Sequence, residues 1–226
     1  MVIIRYISFF LIWGLGLSVS YAHGITGADQ EFLVNNVGPQ IGPFIYLGAK
    51  HMVTGYDHLL FLAGVIFFLY RLKDIAIYVT LFAVGHSATL LLGVLGGLHV
   101  SPYLIDAVIG FSVVYKAFEN INGFDALGFH PNMKAAVLIF GFFHGFGLST
   151  KLQDLAISDD GLVTNMLSFN IGVELGQLVA LSAMLIGFNV WRRSSSFLRH
   201  AYTTNVCIMV AGFILIGFQL TGYFVA

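Results

Sequence analysis

Six long apolar stretches constrain the fold of this 226-residue chain more than any other feature. Each is long enough for a helix to cross the hydrocarbon core of a membrane, which takes about 20 residues. The stretches are continuous, whereas the strands of a membrane barrel alternate apolar and polar residues. Helices also satisfy their backbone hydrogen bonds internally, as lipid requires. The sequence therefore predicts an all-α, polytopic membrane helix bundle with six transmembrane helices, at approximately 44–70, 75–98, 101–120, 133–152, 162–190 and 201–225.

The composition excludes several classes of protein. Only 9% of the residues are charged, which is too few to cover the surface of a soluble domain. The net charge of -1 provides no basic surface for nucleic acid. Cys207 is the single cysteine, so the chain cannot build an internal disulfide framework or a thiolate metal cluster. No glycine-rich nucleotide motif and no internal sequence repeat are evident, and no organic cofactor is predicted.

The amino terminus is typical of an export signal. Arg5 precedes an apolar run over residues 7–17, and the small residues Ser20 and Ala22 follow. This pattern predicts a signal peptide at 1–22 that is cleaved after Ala22. An uncleaved first transmembrane helix is the alternative, although the apolar run is short for that role.

Cleavage at this point divides the chain into two further parts. Residues 23–43 form an outward-facing segment, and residues 44–226 form the transmembrane domain. His23 becomes the new amino terminus, where its amine and imidazole could bind a metal or simply be solvated.

The distribution of lysine and arginine between the two sides of the bundle predicts its orientation. Most of these residues lie in connections on one side, whereas the other side carries only Lys50 and Lys151 and an acidic connection with Asp154, Asp159 and Asp160. Because cytoplasmic loops are rich in positive charge, both ends of the mature chain are expected on the outer side of a bacterial inner membrane. The predicted cytoplasmic side carries seven cations, Arg71, Lys73, Lys116, Lys134, Arg192, Arg193 and Arg199.

The first predicted span contains an unusual group of polar residues. His51, Asp57 and His58 lie within eight positions of one apolar run. Such residues are costly in lipid and usually mark a pathway or a site. Two imidazoles and a carboxylate form part of a coordination sphere for nickel, cobalt, zinc or copper. Alternatively, Asp57 only pairs with a neighbouring histidine and neutralises a buried charge.

Later spans contribute further candidate ligands. His86 lies in the second span, His144 lies in the fourth, and Asn170 and Glu174 form a polar stripe in the fifth. His86 taken alone is equally consistent with a contact between helices, whereas Glu174 in lipid needs a cationic partner, a proton or a metal. At about 1.5 Å per residue, however, these groups and the first-span histidines fall at a similar depth, and we expect them to meet in the outer half of the bundle.

These motifs resemble those of the HupE/UreJ family, membrane proteins associated with nickel and cobalt uptake. The resemblance rests on His51, Asp57 and His58, on the Phe143-His144-Gly145 segment, and on the segments GHSATL and FNIGVELGQL. It covers the chain from about Gly48 to Gln177 and implies a metal ion and the lipid bilayer as partners, with a protein partner left unidentified.

The chain departs from the nickel permeases of this family after the Phe-His-Gly segment. Those proteins continue to a second His-Gly and then a Glu, whereas this chain has Leu148, Ser149 and Lys151. The resemblance therefore implies a divergent branch. Our hypothesis is that Glu174 supplies the missing carboxylate from another helix.

The function expected from these features is a secondary permease for a divalent transition metal, nickel or cobalt by resemblance and zinc or copper by ligand chemistry. Its expected metal ligands are His51, Asp57, His58, His86, His144, Asn170 and Glu174. Two alternatives use the same residues. One is a membrane-embedded zinc metallohydrolase, and the other is a metal-binding assembly or delivery factor for a partner enzyme.

Overall fold

The computed structural model describes residues 37–154 and 159–225, together with Glu31. Within these residues all regular secondary structure is helical, which confirms the all-α prediction. The predicted signal peptide at 1–22, His23 and most of the segment 23–43 lie outside the described residues.

The described part of the chain forms eight helices, of which five agree with the second to sixth predicted spans to within about five residues. They are α1 (Ile41–Thr54), α2 (Tyr56–Ile66), α3 (Leu72–Gly96), α4 (Pro102–Asn120), α5 (Gly123–Ala126), α6 (Met133–Asp154), α7 (Leu162–Arg192) and α8 (Ser196–Val225).

The first predicted span is two helices, so the expectation of one continuous helix over 44–70 is wrong. Gly55 separates α1 from α2 with φ -70° and ψ 97°, an extended conformation. Glycine has a low helix propensity. In addition, Asp57 lies in the first turn of α2, where a carboxylate is favourable near the helix amino terminus, and its Oδ1 atom accepts a hydrogen bond from the backbone N–H of His58 at 2.8 Å.

Four helices, α3, α6, α7 and α8, are long and apolar enough to cross a membrane. The outward faces of α7 and α8 carry exposed aliphatic side chains, among them Val179, Ile186 and Ile214. Helix α4 has 19 residues but carries charged side chains, and α1 and α2 are each shorter than a span. The described residues therefore include four candidate membrane-crossing helices, which is consistent with the predicted membrane bundle.

Helices α3 and α6 run parallel and in close contact. A Cβ atom at Gly145 would lie 2.1 Å from the carbonyl oxygen of His86, and one at Gly141 would lie 2.5 Å from that of Phe82. No side chain fits at such distances, so the two backbones touch because glycine is present.

Helices α1 and α7 form a second parallel pair of the same kind. A Cβ atom at Gly48 would lie 2.0 Å from the carbonyl oxygen of Phe169, and one at Gly172 would lie 2.0 Å from that of Ile45. Two closely packed helix pairs therefore make up the centre of the fold, and α2 and α4 pack beside them.

A buried polar network joins α2, α4 and α8. Lys116 donates hydrogen bonds to Glu119 and to the Asn120 Oδ1 atom, the latter at 2.7 Å. The Asn120 amide in turn donates to the carbonyl of Gly64 and to Asn205, each at 2.8 Å. This network satisfies the Lys116 charge within the bundle, which explains how a lysine is tolerated there.

The glycine contact between α3 and α6 predicts a stability effect. We expect Gly141→Ala to lower stability by about 1–3 kcal/mol and the Tm in detergent by several degrees, because the added methyl group would displace the Phe82 backbone. Gly217→Ala in α8 is the matched control, since nothing lies within 4 Å of its Cβ position. Equal Tm values for the two variants would contradict the prediction.

Candidate metal centre

Four histidines from four helices meet in the centre of the bundle. His51 lies on α1, His58 on α2, His86 on α3 and His144 on α6. His58 and His86 are 1% exposed and His144 is fully buried, while His51 is partly buried. The expectation that the polar residues of several spans meet is confirmed for these four histidines.

The ring nitrogens of three histidines are close enough to share one ion. His51, His58 and His86 each offer a nitrogen atom, and these atoms all lie within 4.8 Å of one another. His144 lies beside this group, with its ring centroid 4.9 Å from that of His58. Tetrahedral ligation at about 2.0–2.1 Å needs nitrogen atoms roughly 3.3 Å apart, so the three rings would move closer together to bind one ion.

The break at Gly55 makes this arrangement possible. His51 and His58 are seven residues apart, which in a continuous helix corresponds to a rise of about 10.5 Å. Their ring centroids are 5.1 Å apart in the structure. Because the chain turns at Gly55, two residues that a straight helix would separate by two turns can ligate the same ion.

Hydrogen bonds orient two of the rings. The His58 Nδ1–H group donates to the Asp57 carboxylate at 3.0 Å, and the His144 Nδ1–H group donates to the carbonyl of Phe140 at 2.8 Å. In both residues the Nε2 atom is then the nitrogen that can bind a metal. Neither ring nitrogen of His86 has a hydrogen-bond partner among the described residues, so this buried side chain offers a ligand atom as well.

Aromatic rings surround the histidines. Phe61 and Phe82 pack on His144, with centroid distances of 5.5 Å and 4.9 Å, and Phe169 lies 6.1 Å from His51. An apolar shell of this kind keeps water from the site and strengthens electrostatic interactions inside it.

Two cavities lead from the histidines toward the end of the bundle that carries Arg71 and Lys134, which we name the basic end. A cavity of about 10 Å³, roughly the room for one water, borders His58 and the buried Gln177. A second cavity of about 440 Å³ lies between α2, α3 and α4. Val65 and Tyr78 line both cavities and therefore separate one from the other.

The structure places Glu174, one of the two predicted α7 ligands, away from the histidines. Glu174 is exposed on the outside of α7, so the expectation that it approaches His51, His58 and His144 is wrong. The physical reason is helical phase. The face of α7 that is buried against α1 carries Gly172 and Gly176, which directs Glu174 outward.

Asn170, the other predicted α7 ligand, lies inside the bundle. It is buried, and its Oδ1 atom has no hydrogen-bond partner among the described residues. Its predicted role as a metal ligand stays a prediction.

Sequence reasoning missed an ion pair near the site. The Lys151 ammonium lies 2.7 Å from the Asp106 Oδ2 atom and joins α6 to α4. No role for Asp106 follows from the sequence alone, because neither its spacing nor its neighbours indicate that Lys151 is its partner. In the sequence Lys151 stands out as a departure from the permease pattern and as one of two cations on the predicted outer side, and neither observation indicates Asp106 as its partner.

Comparison with known proteins identifies one family. The family described as HupE / UreJ protein matches residues 27–226, which is nearly the whole chain. Neither a curated protein nor a solved structure matches the chain.

The Gly55 break generates a prediction about metal affinity. A Cβ atom at position 55 would lie 2.8 Å from the His58 Nδ1 atom, so Gly55→Ala should displace that ring. We expect the variant to bind Co²⁺ about 10–100-fold more weakly, as measured by visible absorption titration. Gly42→Ala in α1 is the matched control, since its Cβ position is open. Unchanged affinity in Gly55→Ala would show that the ring orientation does not matter.

Proposed function

The chain belongs to the HupE/UreJ family, and from this premise and the geometry of its four histidines we propose that it is a secondary permease for a divalent transition metal ion. The family is one of metal transport and accessory proteins rather than of enzymes. The observation that carries the proposal is the set of three histidine nitrogens within 4.8 Å of one another inside a membrane bundle.

His51, His58 and His86 are the proposed primary ligands, and His144 is the fourth. Neutral imidazole is a good ligand for nickel and cobalt, and the family resemblance favours these two ions over zinc and copper. Asp57 is proposed to act through His58. Its carboxylate holds the imidazole in one tautomer and balances part of the charge of the ion.

The two cavities support a route between the histidines and the basic end. An ion leaving His58 would pass the small cavity beside Gln177, then Tyr78, and then reach the larger cavity that Glu119 borders. Positive charge marks the cytoplasmic side of membrane proteins, so the basic end is proposed to face the cytoplasm.

This orientation gives a proposed topology for the whole chain. Helices α1 and α2 together make the first crossing and α4 makes the third, which brings the number of crossings to six. Both ends of the mature chain then lie on the outer side of a bacterial inner membrane, after removal of the signal peptide at 1–22.

Transport by this site needs weak binding and an external source of energy. A carrier must release its ion, and a site of neutral imidazoles with one nearby carboxylate is less tight than a closed thiolate site. The sequence contains no nucleotide-binding motif, so the proposed energy sources are the membrane potential, an ion gradient or capture of the metal inside the cell.

Uptake of radioactive nickel and cobalt into proteoliposomes tests the proposal. We expect saturable uptake by the unmodified protein and a loss of at least about tenfold in His58→Ala and in His144→Ala, because each variant removes a buried ligand. His130→Ala is the control, since His130 is exposed and lies outside the histidine group. Tight binding without uptake would instead identify a metal-delivery factor.

The exposed position of Glu174 generates a separate prediction. We expect Glu174→Gln to change metal affinity and uptake by no more than about twofold, because the side chain lies on the outside of α7. A large loss of binding, measured by the same titration as for the histidine variants, would restore Glu174 as a ligand.

A further inference from the structure

The two parallel helix pairs, α1 with α7 and α3 with α6, have matching contacts. In the first pair Gly48 faces the backbone of Phe169, and in the second pair Gly141 faces the backbone of Phe82. In each pair, therefore, a glycine of one helix packs against a phenylalanine carbonyl of the other.

The residues that make these contacts also match in sequence. The segment Gly-x-x-His occurs at Gly48–His51 in α1 and at Gly141–His144 in α6. The segment Phe-x-x-Gly occurs at Phe82–Gly85 in α3 and at Phe169–Gly172 in α7. The corresponding helices are thus α1 with α6 and α3 with α7.

The remaining long helices, α4 and α8, continue the correspondence. Each contains a Gly-Phe pair, at Gly110 and Phe111 in α4 and at Gly212 and Phe213 in α8. A Cβ atom at Gly212 would lie 3.0 Å from the carbonyl oxygen of Gly110, so the two glycines face each other where these antiparallel helices cross.

The order and direction of the helices agree with a correspondence between two halves of the chain. The series α1, α3, α4 is followed along the chain by α6, α7, α8. Helices α2 and α3 are antiparallel, since His58 lies near His86 and Phe61 lies near Phe82. The α1–α7 pair therefore runs opposite to the α3–α6 pair. Two halves of opposite direction, related by an axis in the membrane plane, are a common architecture of secondary transporters, with the substrate site between them.

This relation gives an equivalent position for His51, His144 and His58. His51 corresponds to His144, and the residue seven positions further is His58 in the first half and Lys151 in the second. We propose that the chain is built from two inverted halves, and that Lys151, which occupies the position of His58, sets the metal affinity of the histidine site through its ion pair with Asp106. The proposal rests on the metal-binding function proposed above.

The ion pair is built into the protein interior. Asp106 is 6% exposed, and its Oδ2 atom accepts a hydrogen bond from the Lys151 ammonium at 2.7 Å. Its Oδ1 atom is buried and has no hydrogen-bond partner among the described residues. A buried carboxylate with one unsatisfied oxygen depends on this lysine for its charge balance.

Both members of the pair lie within electrostatic range of the histidine site. Asp106 is in range of Asp57 and His58, and Lys151, on the same helix as His144, is in range of His51. The Lys151 ammonium would repel a metal ion held by these histidines, and the Asp106 carboxylate would attract it. In a low-dielectric interior such interactions extend over several ångströms and are screened by salt much less than those on the surface. The lysine thereby keeps binding weak enough for release, which a carrier needs.

A set of charge variants tests this role through the Kd for Co²⁺ and Ni²⁺, measured by calorimetry on the full chain in detergent. Lys151→Met leaves the carboxylate alone, so the Kd should fall at least about tenfold. Asp106→Asn leaves the ammonium alone, so the Kd should rise at least about tenfold. The double variant removes both charges and should return the Kd to within about threefold of the unmodified protein, since the two opposed effects cancel.

Two further variants separate charge from structure. Lys151→Arg keeps the positive charge and should keep the Kd. Lys134→Met removes a positive charge from an exposed position of the same helix at the basic end and should leave the Kd unchanged. In proteoliposomes, Lys151→Met should lower both the KM and the maximal rate, because a tighter ion leaves more slowly.

The outcomes are distinct. Metal binding by the unmodified chain that Lys151→Met leaves unchanged or weakens would overturn this inference and leave the proposed function intact. Failure of the unmodified chain to bind metal would overturn both. A double variant as perturbed as Lys151→Met would show that the pair is needed only for packing, and it would also overturn the inference.

Discussion

The histidine site depends on how closely two pairs of helices approach each other, and glycine sets that distance. Gly141 and Gly145 bring the backbone of α6 against α3, and Gly48 and Gly172 do the same for α1 and α7. In lipid no hydrophobic effect drives helices together, so close van der Waals contact over small residues supplies much of the attraction. Larger residues at these positions would push apart the helices that carry the imidazoles.

Burial of the imidazoles gives the site its chemistry. A neutral histidine in an apolar interior loses its hydrogen bonds to water, and the structure replaces only some of them. His58 and His144 each donate one hydrogen bond that fixes the ring, whereas the nitrogens of His86 have no partner among the described residues. A bound ion would stabilise buried nitrogens of this kind. The arrangement that costs free energy in the metal-free protein would thereby favour the proposed metal binding.

The helix break at Gly55 brings His51 and His58 close together. A straight helix would place His51 and His58 about two turns apart, too far for one ion. Gly55 interrupts the helix, Asp57 stabilises the new helix start, and that carboxylate also orients His58. Three neighbouring residues therefore change the backbone direction, the ring orientation and the local charge together. Lys151, seven residues after the corresponding histidine of α6, provides a charge where the first part of the chain provides a ligand.

The sequence by itself determined the helical membrane character, the approximate bounds of the long helices and four of the residues that meet, because apolar length and the cost of polar groups in lipid are local properties of the chain. It did not determine the break at Gly55, the exposure of Glu174 or the pairing of Asp106 with Lys151. These depend on helical phase and on which helix lies opposite, and a one-residue difference in phase turns a side chain by about 100°.

The correspondence between the two halves also emerged only from the tertiary contacts, since the matching segments are four residues long or shorter and run through oppositely directed helices. Only the packed structure decides which polar residues face one another, because that choice is made by contacts between helices and not within them.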